Sequence, residues 1–314
     1  MEQPLFLEPV FHEKIWGGDR LSSQFGYTIS TTNPIGECWG ISGHPNGLSV
    51  IANGIYKGWT LDNLYQKRPD LFNYPEDKCF PLLTKILDAN DWLSVQVHPD
   101  DSYALSHEGE LGKTECWYVL EAQEGAEIIL GHQAKSKKEL KDAFETADWE
   151  RVLTRRSVKK GDFIYVPSGT IHAIGPGLLI LETQQSSDTT YRVYDFDRVD
   201  SAGNKRELHL SKSLDVTTLE APKEEISHKV TIDALSIETF ISNSFFTVAR
   251  WDLEGKATLT KDSHYQLVSV IDGGANLSIG ESQYTLVKGN HFILPSPLEY
   301  FEMEGAVSLI VSQL

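Results

Sequence analysis

The sequence is poor in cysteine and has no long apolar run. Its 314 residues include three cysteines, Cys38, Cys79 and Cys116, which form no CxxC pair and leave at least one thiol unpaired. This excludes a disulfide framework and suits a reducing cytoplasm. No stretch approaches the ~18 apolar residues of a membrane helix, and the short apolar patch near the start lacks the basic flank of a secretion signal. We therefore expect a cytoplasmic protein.

Positive charge is also scarce. The chain has 28 Lys and Arg residues against 45 Asp and Glu residues, which gives a net charge of −17 at pH 7. A protein this acidic is a poor binder of nucleic acid and of anionic membranes. An anionic small molecule must therefore be held by a local cluster of basic side chains. We expect a small-molecule partner and neither a nucleic-acid nor a membrane partner, while the oligomeric state stays open.

What is present is a strand pattern. Hydrophobic residues make up 40% of the chain, which is enough for a sizeable core. Short segments rich in Val, Ile, Leu and aromatic residues, such as 93–97, 117–122 and 178–183, alternate with Gly, Pro or Asp turns. This spacing is typical of an all-β sandwich or barrel. Residues 59–72 and 136–153 predict helices instead, and the second of these opens with a capping-box pattern.

The chain divides into two predicted domains. A charged, Pro-containing stretch near residues 215–235 predicts an exposed connector. We expect a larger metal-binding domain over residues 1–220 and a β domain over residues 221–314. A weak repeat, Gly followed by five residues and Pro, occurs at 161–167 and again at 289–295, as in a duplicated barrel. Only the first copy leads to a histidine, so the second domain is predicted to lack metal ligands.

Three segments concentrate side chains that bind metals. Gln96 and His98 are two residues apart on a predicted strand, so they face the same side. Glu115 lies two residues after Lys113, and His172 follows a Pro/Gly turn. Two imidazoles, an amide oxygen and a carboxylate form a set that Zn²⁺ accepts. Spacing alone leaves an alternative to a shared metal site. In that alternative, His172 is a hydrogen-bonded core residue and Gln96 is an unrelated residue on a strand.

A second polar group lies downstream. Glu182 and Arg192 flank the polar residues 183–191. Arg192, Lys113 and Lys85 are candidates to gather around an anion such as a phosphate, because Arg offers a planar fork of donors. The alternatives are a solvated loop for residues 183–191, and a Lys85 that extends its ammonium out of an apolar strand to solvent.

Several motifs match one family in order. They are IleTrpGlyGly (15–18), GlyGluCysTrp (36–39), PLLTKILDANDWLSVQVHPD (81–100), LysThrGlu (113–115), Gly161-x5-Pro167-x-Gly169-x2-His172, and SSDTTYRVYDFDR (186–198). The sequence resembles the type I mannose-6-phosphate isomerases, in their short bacterial form, which belong to the cupin superfamily. The resemblance implies a mainly β fold of two cupin (jelly-roll or β-barrel) domains, with a helical excursion in the first.

The resemblance also implies an activity and a cofactor. It implies that the chain interconverts D-mannose 6-phosphate and D-fructose 6-phosphate by moving a proton between C1 and C2 through an enediolate. It implies one Zn²⁺ per chain, bound by Gln96, His98, Glu115 and His172. Longer members often have a histidine where this chain has Gly112, so any role of that histidine in ring opening must be filled otherwise.

Six more residues receive roles in this interpretation. They are Arg192, Lys113 and Glu182 as catalytic residues, and Lys85, Ser94 and Asp188 as substrate or phosphate contacts. Glu182 is our candidate base, and the division of roles between the cations stays open. Cupin folds serve many functions, so a sugar-sensing or storage bicupin, a cupin metal oxygenase and a different phosphosugar isomerase are the alternatives. The basic residues argue against a sensor, and Gln96 in place of a histidine argues against an oxygenase.

Overall fold

The computed structural model describes residues 3–199, 203–223 and 225–314, which form twenty strands and six α-helices. The strands are β1 Leu5–Glu8, β2 Val10–Gly18, β3 Ile35–Ser42, β4 Val50–Ile51, β5 Leu82–Ala89, β6 Val95–Val97, β7 Glu115–Ala122, β8 Glu127–His132, β9 Leu153–Ser157, β10 Phe163–Val166, β11 His172–Ile174, β12 Leu178–Gln185, β13 Tyr191–Tyr194, β14 His228–Ile232, β15 Leu235–Ser242, β16 Thr247–Thr260, β17 Gln266–Ile279, β18 Ser282–Val287, β19 His291–Leu294 and β20 Tyr300–Gln313. The helices are α1 Arg20–Phe25, α2 Leu61–Lys67, α3 Asp101–His107, α4 Lys137–Thr146, α5 Trp149–Val152 and α6 Leu210–Val216.

Two antiparallel sheets form the first β unit. One has six strands in the order β10-β7-β12-β5-β3-β2, and the other has five in the order β13-β6-β11-β8-β9. Apolar side chains from both sheets form a shared core that includes Val119, Ile128, Ile174 and Ile180. Strand β12, the third in the order of the larger sheet, is buried along all eight residues, as expected for a strand that is covered on both faces. The predicted mainly β architecture is confirmed.

A nine-stranded sheet forms the second β unit, in the order β14-β15-β16-β20-β17-β19-β1-β4, with β18 paired to β17. Strands β16, β17 and β20 are each 14 residues long. Gly255 on β16 lies opposite Gly305 on β20, and both have positive φ, 130° and 152°. Because these angles suit glycine and few other residues, the long strands bend there, and one sheet curves around its own core.

Strand pairing crosses the predicted domain boundary. Strand β1 pairs with β19, with Leu5 opposite Ile293, and β4 pairs with β1. The sheet built mainly from residues after 220 therefore includes two strands from the start of the chain. The division at residues 220 and 221 stays a prediction. The connector is shorter than expected, because α6 ends at Val216 and β14 begins at His228.

The predicted helical segments form where expected. Residues 136–153 contain α4 and α5, and Ser136 caps α4 by accepting a hydrogen bond from the backbone N–H of Glu139 at 3.2 Å. Ala147, with a positive φ of 53°, separates the two helices. Residues 59–72 contain α2 and a 3₁₀ turn. Across the described ranges, none of the helices has the length and apolar character needed to cross a membrane.

Candidate metal centre and active-site cavity

The three metal-competent segments meet inside the first β unit. His172, the first residue of β11, lies opposite Gln96 on β6 in the strand register. His98 follows β6 directly, and Glu115 begins β7. Ligand atoms of His98, Glu115 and His172 all lie within 4.8 Å of one another, and each of these residues is 1% exposed. Strand alternation thus places Gln96 and His98 on one side of β6, and pairing of β11 with β6 adds His172. Glu115 comes from β7 in the other sheet of this unit.

Hydrogen bonds orient both imidazoles toward the carboxylate. The Nδ1 atoms of His98 and His172 lie 2.9 Å from the backbone carbonyls of Thr189 and Thr170, to which they donate. Burial lowers the pKa of both histidines, so each Nε2 carries a lone pair. These lone pairs lie 3.5 and 3.3 Å from the Glu115 oxygens. Two imidazole nitrogens and a carboxylate that face one another in this way fit a cation between them. In metal-binding histidines, a hydrogen bond from the other ring nitrogen to a backbone carbonyl typically fixes the tautomer in the same manner.

Gln96 lies beside these three residues. Its side-chain amide nitrogen lies 3.5 Å from His98 Nε2 and 3.3 Å from His172 Nε2, while its oxygen accepts from the Ser94 hydroxyl at 3.3 Å. Turning the amide over brings its oxygen to the histidines and leaves the nitrogen as a donor to Ser94. His98, Glu115 and His172 therefore fit a divalent metal ion, and Gln96 is placed to add an oxygen to them.

A cavity of about 300 Å³ opens beside this cluster. All six of the other predicted site residues line it: Arg192, Lys113, Glu182, Lys85, Ser94 and Asp188. Lys85 is 4% exposed, so it points inward rather than to solvent. Residues 183–185 are also buried, which favours a built site over a solvated loop. The cavity wall contains three charged residues that the sequence analysis missed, Lys14, Glu37 and Arg206.

Six charged side chains of alternating sign form a series of neighbouring ion pairs that extends from the cavity to the metal cluster. In order, they are Lys14, Glu37, Lys85, Glu182, Lys113 and Glu115. The successive nitrogen–oxygen distances are 2.9, 3.8, 3.8, 3.8 and 2.9 Å. We call these six residues the charge ladder. Its positive and negative groups are equal in number, which reduces the cost of burying so many charges.

Two tryptophans hold the carboxylates of the ladder. The indole N–H of Trp117 donates to Glu115 at 3.0 Å and to Glu182 at 3.1 Å. Trp117 lies opposite Glu182 in the register of β7 and β12. The indole N–H of Trp39 donates to Glu37 at 2.6 Å. One indole therefore links the metal cluster to the neighbouring carboxylate Glu182.

Two of the cavity carboxylates that are not candidate ligands, Glu182 and Glu37, differ in acidity. Burial raises the pKa of Glu182 to about 7, with a further contribution from Glu115, although Lys113 and Lys85 oppose the rise. Burial acts in the same direction on Glu37, but its lysine neighbours and the indole hydrogen bond outweigh it and lower the pKa of Glu37 to about 2. Of these two, Glu182 is therefore the one poised to exchange a proton near neutral pH.

Two arginines, Arg192 and Arg206, line another part of the cavity wall. One terminal nitrogen of Arg192 donates to the backbone carbonyl of Glu207 at 2.8 Å, while its buried Nε has no hydrogen-bond partner in the described part of the chain. Arg206 donates twice to Asp195, at 2.7 and 2.5 Å. Among the described residues, Arg192 forms no ion pair. Its guanidinium is therefore available to an incoming anion.

Gly112 is required by local packing. A Cβ at this position would lie 2.4 Å from the backbone of Asp100 and Asp101. The backbone N–H of Gly112 also donates to the Asp101 carboxylate at 2.8 Å. This chain therefore has no room for a histidine side chain before Lys113 unless the backbone moves.

The fold and the site together define a double-cupin protein with a candidate metal centre that opens onto a cationic cavity. Residues 5–120 match the family "Phosphomannose isomerase type I, catalytic domain", and residues 236–314 match "Mannose-6-phosphate isomerase, cupin domain". The chain is 54% identical to a mannose-6-phosphate isomerase of Streptococcus mutans, over 99% of this chain and 98% of that protein. It is 51% identical to ManA of Bacillus subtilis, over 99% of both. The chain belongs to the type I mannose-6-phosphate isomerase family.

Solved structures agree with this assignment. The crystal structure of a mannose 6-phosphate isomerase from Bacillus subtilis superposes with a TM-score of 0.97, at 47% identity and with both chains fully covered. A phosphomannose isomerase from Salmonella typhimurium shares the fold, with a TM-score of 0.81 at 15% identity and 99% coverage of both chains. Membership of an isomerase family does not favour the sensor or the oxygenase alternative.

Proposed function

We propose that this protein interconverts D-mannose 6-phosphate and D-fructose 6-phosphate by moving a proton between C1 and C2 of the open-chain sugar. The observation that carries the proposal is Glu182. Its buried carboxylate has a pKa near 7 and shares the Trp117 N–H with Glu115 beside the metal cluster. The names of the relatives support the choice of substrate pair.

We propose one Zn²⁺ per chain, held by Gln96, His98, Glu115 and His172. The donor set of two neutral imidazoles, one amide oxygen and one carboxylate suits zinc and leaves the ion with net positive charge. When bound, the ion supplies Lewis-acid polarisation of the sugar carbonyl.

Glu182 is the proposed base. Burial raises the pKa of its carboxyl in the metal-free structure, and a carboxylate at this place can accept a proton from one carbon and return it to the neighbouring one. The Lys113 ammonium, 3.8 Å from Glu182 and 2.9 Å from Glu115, is placed to stabilise negative charge that develops on the adjacent sugar oxygens.

The phosphate is proposed to lie at the arginine side of the cavity, where Arg192 has no carboxylate partner among the described residues. Charge-assisted, two-pronged hydrogen bonds from guanidinium groups suit phosphate oxygens. Ser94 and Asp188 also line the cavity and are proposed to contact sugar hydroxyls. Lys85 is proposed to contact the substrate from the cavity floor.

A cytoplasmic role in mannose metabolism follows from this proposal. Free thiols at Cys38, Cys79 and Cys116 are consistent with a reducing compartment. The net charge of −17 supports a small-molecule partner rather than nucleic acid or an anionic membrane.

Metal removal and return tests the function. Purified protein is treated with a chelator, its metal content is measured, and turnover of mannose 6-phosphate is followed with a coupled-enzyme assay before and after Zn²⁺ is added. We expect turnover to vanish with the metal and to return with zinc. Full turnover without bound metal would refute the Lewis-acid role. Binding of the sugar without turnover would instead support a sensor, and oxygen uptake with Fe²⁺ would support an oxygenase.

A further inference from the structure

Glu37 has no role in the mechanism so far, although it is a buried charge on the cavity wall. Its carboxylate is held by the Trp39 indole at 2.6 Å and by the Lys14 ammonium at 2.9 Å. It also lies 3.8 Å from the Lys85 ammonium. Glu37 is 8% exposed. A carboxylate so enclosed keeps a fixed position, because each of its neighbours is itself anchored on β2, β3 or β5.

Lys85 sits between two carboxylates and an aromatic face. Its ammonium lies 3.8 Å from Glu37 and 3.8 Å from Glu182, and 4.7 Å from the centre of the Trp39 ring. In the sheet register, Lys85 lies opposite both Trp39 and Glu182. The ammonium therefore divides its attraction between the two carboxylates. Without the Glu37 charge, it would be drawn toward Glu182 alone.

We propose that Glu37 is a positioning residue that acts through Lys85 to hold the Glu182 carboxylate in its place in the cavity. The inference rests on the proposed function, in which Glu182 moves the proton. Removal of the Glu37 charge leaves three lysines against two glutamates in the charge ladder. Lys85 then pairs more closely with Glu182, and the carboxylate shifts away from the reacting carbons. A displacement of about 1 Å at a reacting group can reduce a rate roughly 100-fold.

The test measures kcat and KM for mannose 6-phosphate in Glu37→Gln, which keeps the size of the side chain and removes its charge. We expect kcat to fall roughly 100-fold while KM changes much less, since the proposed phosphate contact at Arg192 is untouched and only the Lys85 contact shifts. Bound zinc should be unchanged. A Trp39→Phe variant keeps the charge but removes the indole donor, and we expect kcat to fall roughly 10-fold.

Two backgrounds test the route of the effect. In a Lys85→Met background, Glu37→Gln should cause no further loss of kcat, whereas in a Lys14→Met background the full loss should remain. An equal loss in the Lys85→Met background would overturn the inference, because Glu37 would then act independently of Lys85. The inference would also be overturned if Glu37→Gln caused no loss of kcat in the Lys14→Met background, because Glu37 would then act through Lys14.

A matched control separates positioning from stability. Asp88 lies on β5 three residues after Lys85, forms a buried ion pair with Arg20 at 2.6 Å, and does not line the cavity. Asp88→Asn should shift the urea midpoint of unfolding while kcat stays near wild type. If Glu37→Gln likewise shifts only the midpoint, the inference is wrong and the proposed function stands. A wild-type protein without any turnover would refute the proposed function itself.

Discussion

Replacement of Glu182 by glutamine should stabilise the metal-free protein at alkaline pH. In the folded protein, burial raises the pKa of Glu182 from an ordinary value of 4.5 to about 7. Between pH 4.5 and about pH 7, the Glu182 carboxyl is therefore protonated in the folded state but ionised in the unfolded state. The free energy of unfolding consequently falls as the pH rises through this range. At about 1.4 kcal/mol for each tenfold change in proton affinity, the difference is worth about 3 kcal/mol above pH 7.

Glu182→Gln removes this penalty because the amide never ionises. Urea unfolding of chelator-treated wild type and variant should give similar free energies of unfolding at pH 5, and at pH 8 the variant should be more stable by about 3 kcal/mol. Proton exchange at C2 of the substrate should be lost in the metal-loaded variant. The protein would thus gain stability where it loses activity, as expected for a strained site.

Glu37→Gln provides the opposite control. The pKa of Glu37 is lowered from 4.5 to about 2, so its ionised form contributes stability above pH 4.5 that is lost as the pH falls toward 2. This variant should be less stable than wild type by about 3 kcal/mol at both pH 5 and pH 8. A Glu182→Gln protein that is less stable than wild type at pH 8, or whose difference does not depend on pH, would refute this account of the charge ladder.

Three other predictions concern the metal, the phosphate and the contact between the β units. His172→Ala should weaken zinc binding by more than the 10- to 100-fold that is typical when a group hydrogen-bonded to a metal ligand is lost. Zinc titration of the apo protein measures this, and an unchanged affinity would exclude His172 as a ligand. Arg192→Ala should retain zinc but lose roughly 10- to 100-fold in kcat/KM, the worth of one or two charge-assisted hydrogen bonds; near-normal steady-state kinetics would remove it from the mechanism. Tyr27→Phe deletes a hydroxyl 2.9 Å from both the Gly289 carbonyl and the His291 ring and should cost about 1–3 kcal/mol in urea unfolding; an unchanged midpoint would show that this contact is not stabilising.

Local patterns in the sequence were sufficient for much of the site. The spacing of Gln96 and His98 placed them on one side of a strand, because side chains alternate along β structure. The inward direction of Lys85 remained undecided, because a single lysine in an apolar strand has two physically reasonable positions. Burial against Glu182 and Trp39 decides between them, and those partners come from other strands.

The missed residues share this dependence on distant strands. Glu37 lies in an apolar strand, as Lys85 does, and the same signal would have identified it. Arg206 lies in an irregular polar stretch and gives no local signal at all. The indole donors Trp39 and Trp117 look like ordinary core aromatics, since only the sheet pairing shows which carboxylates they reach. The shared side of Gln96 and His98 was thus predictable, whereas the direction of Lys85 and the identity of cross-strand neighbours were not.

The place of strand β1 has a consequence for how the chain folds during synthesis. Leu5–Glu8 are made long before their partner His291–Leu294. The first strand, together with the short β4 that pairs with it, must wait with an open edge until residues 291–294 have left the ribosome. Such long-range closure is slow and exposes the edge to wrong partners. Chains that stop short of residue 291 would keep this edge open permanently and should be prone to aggregation.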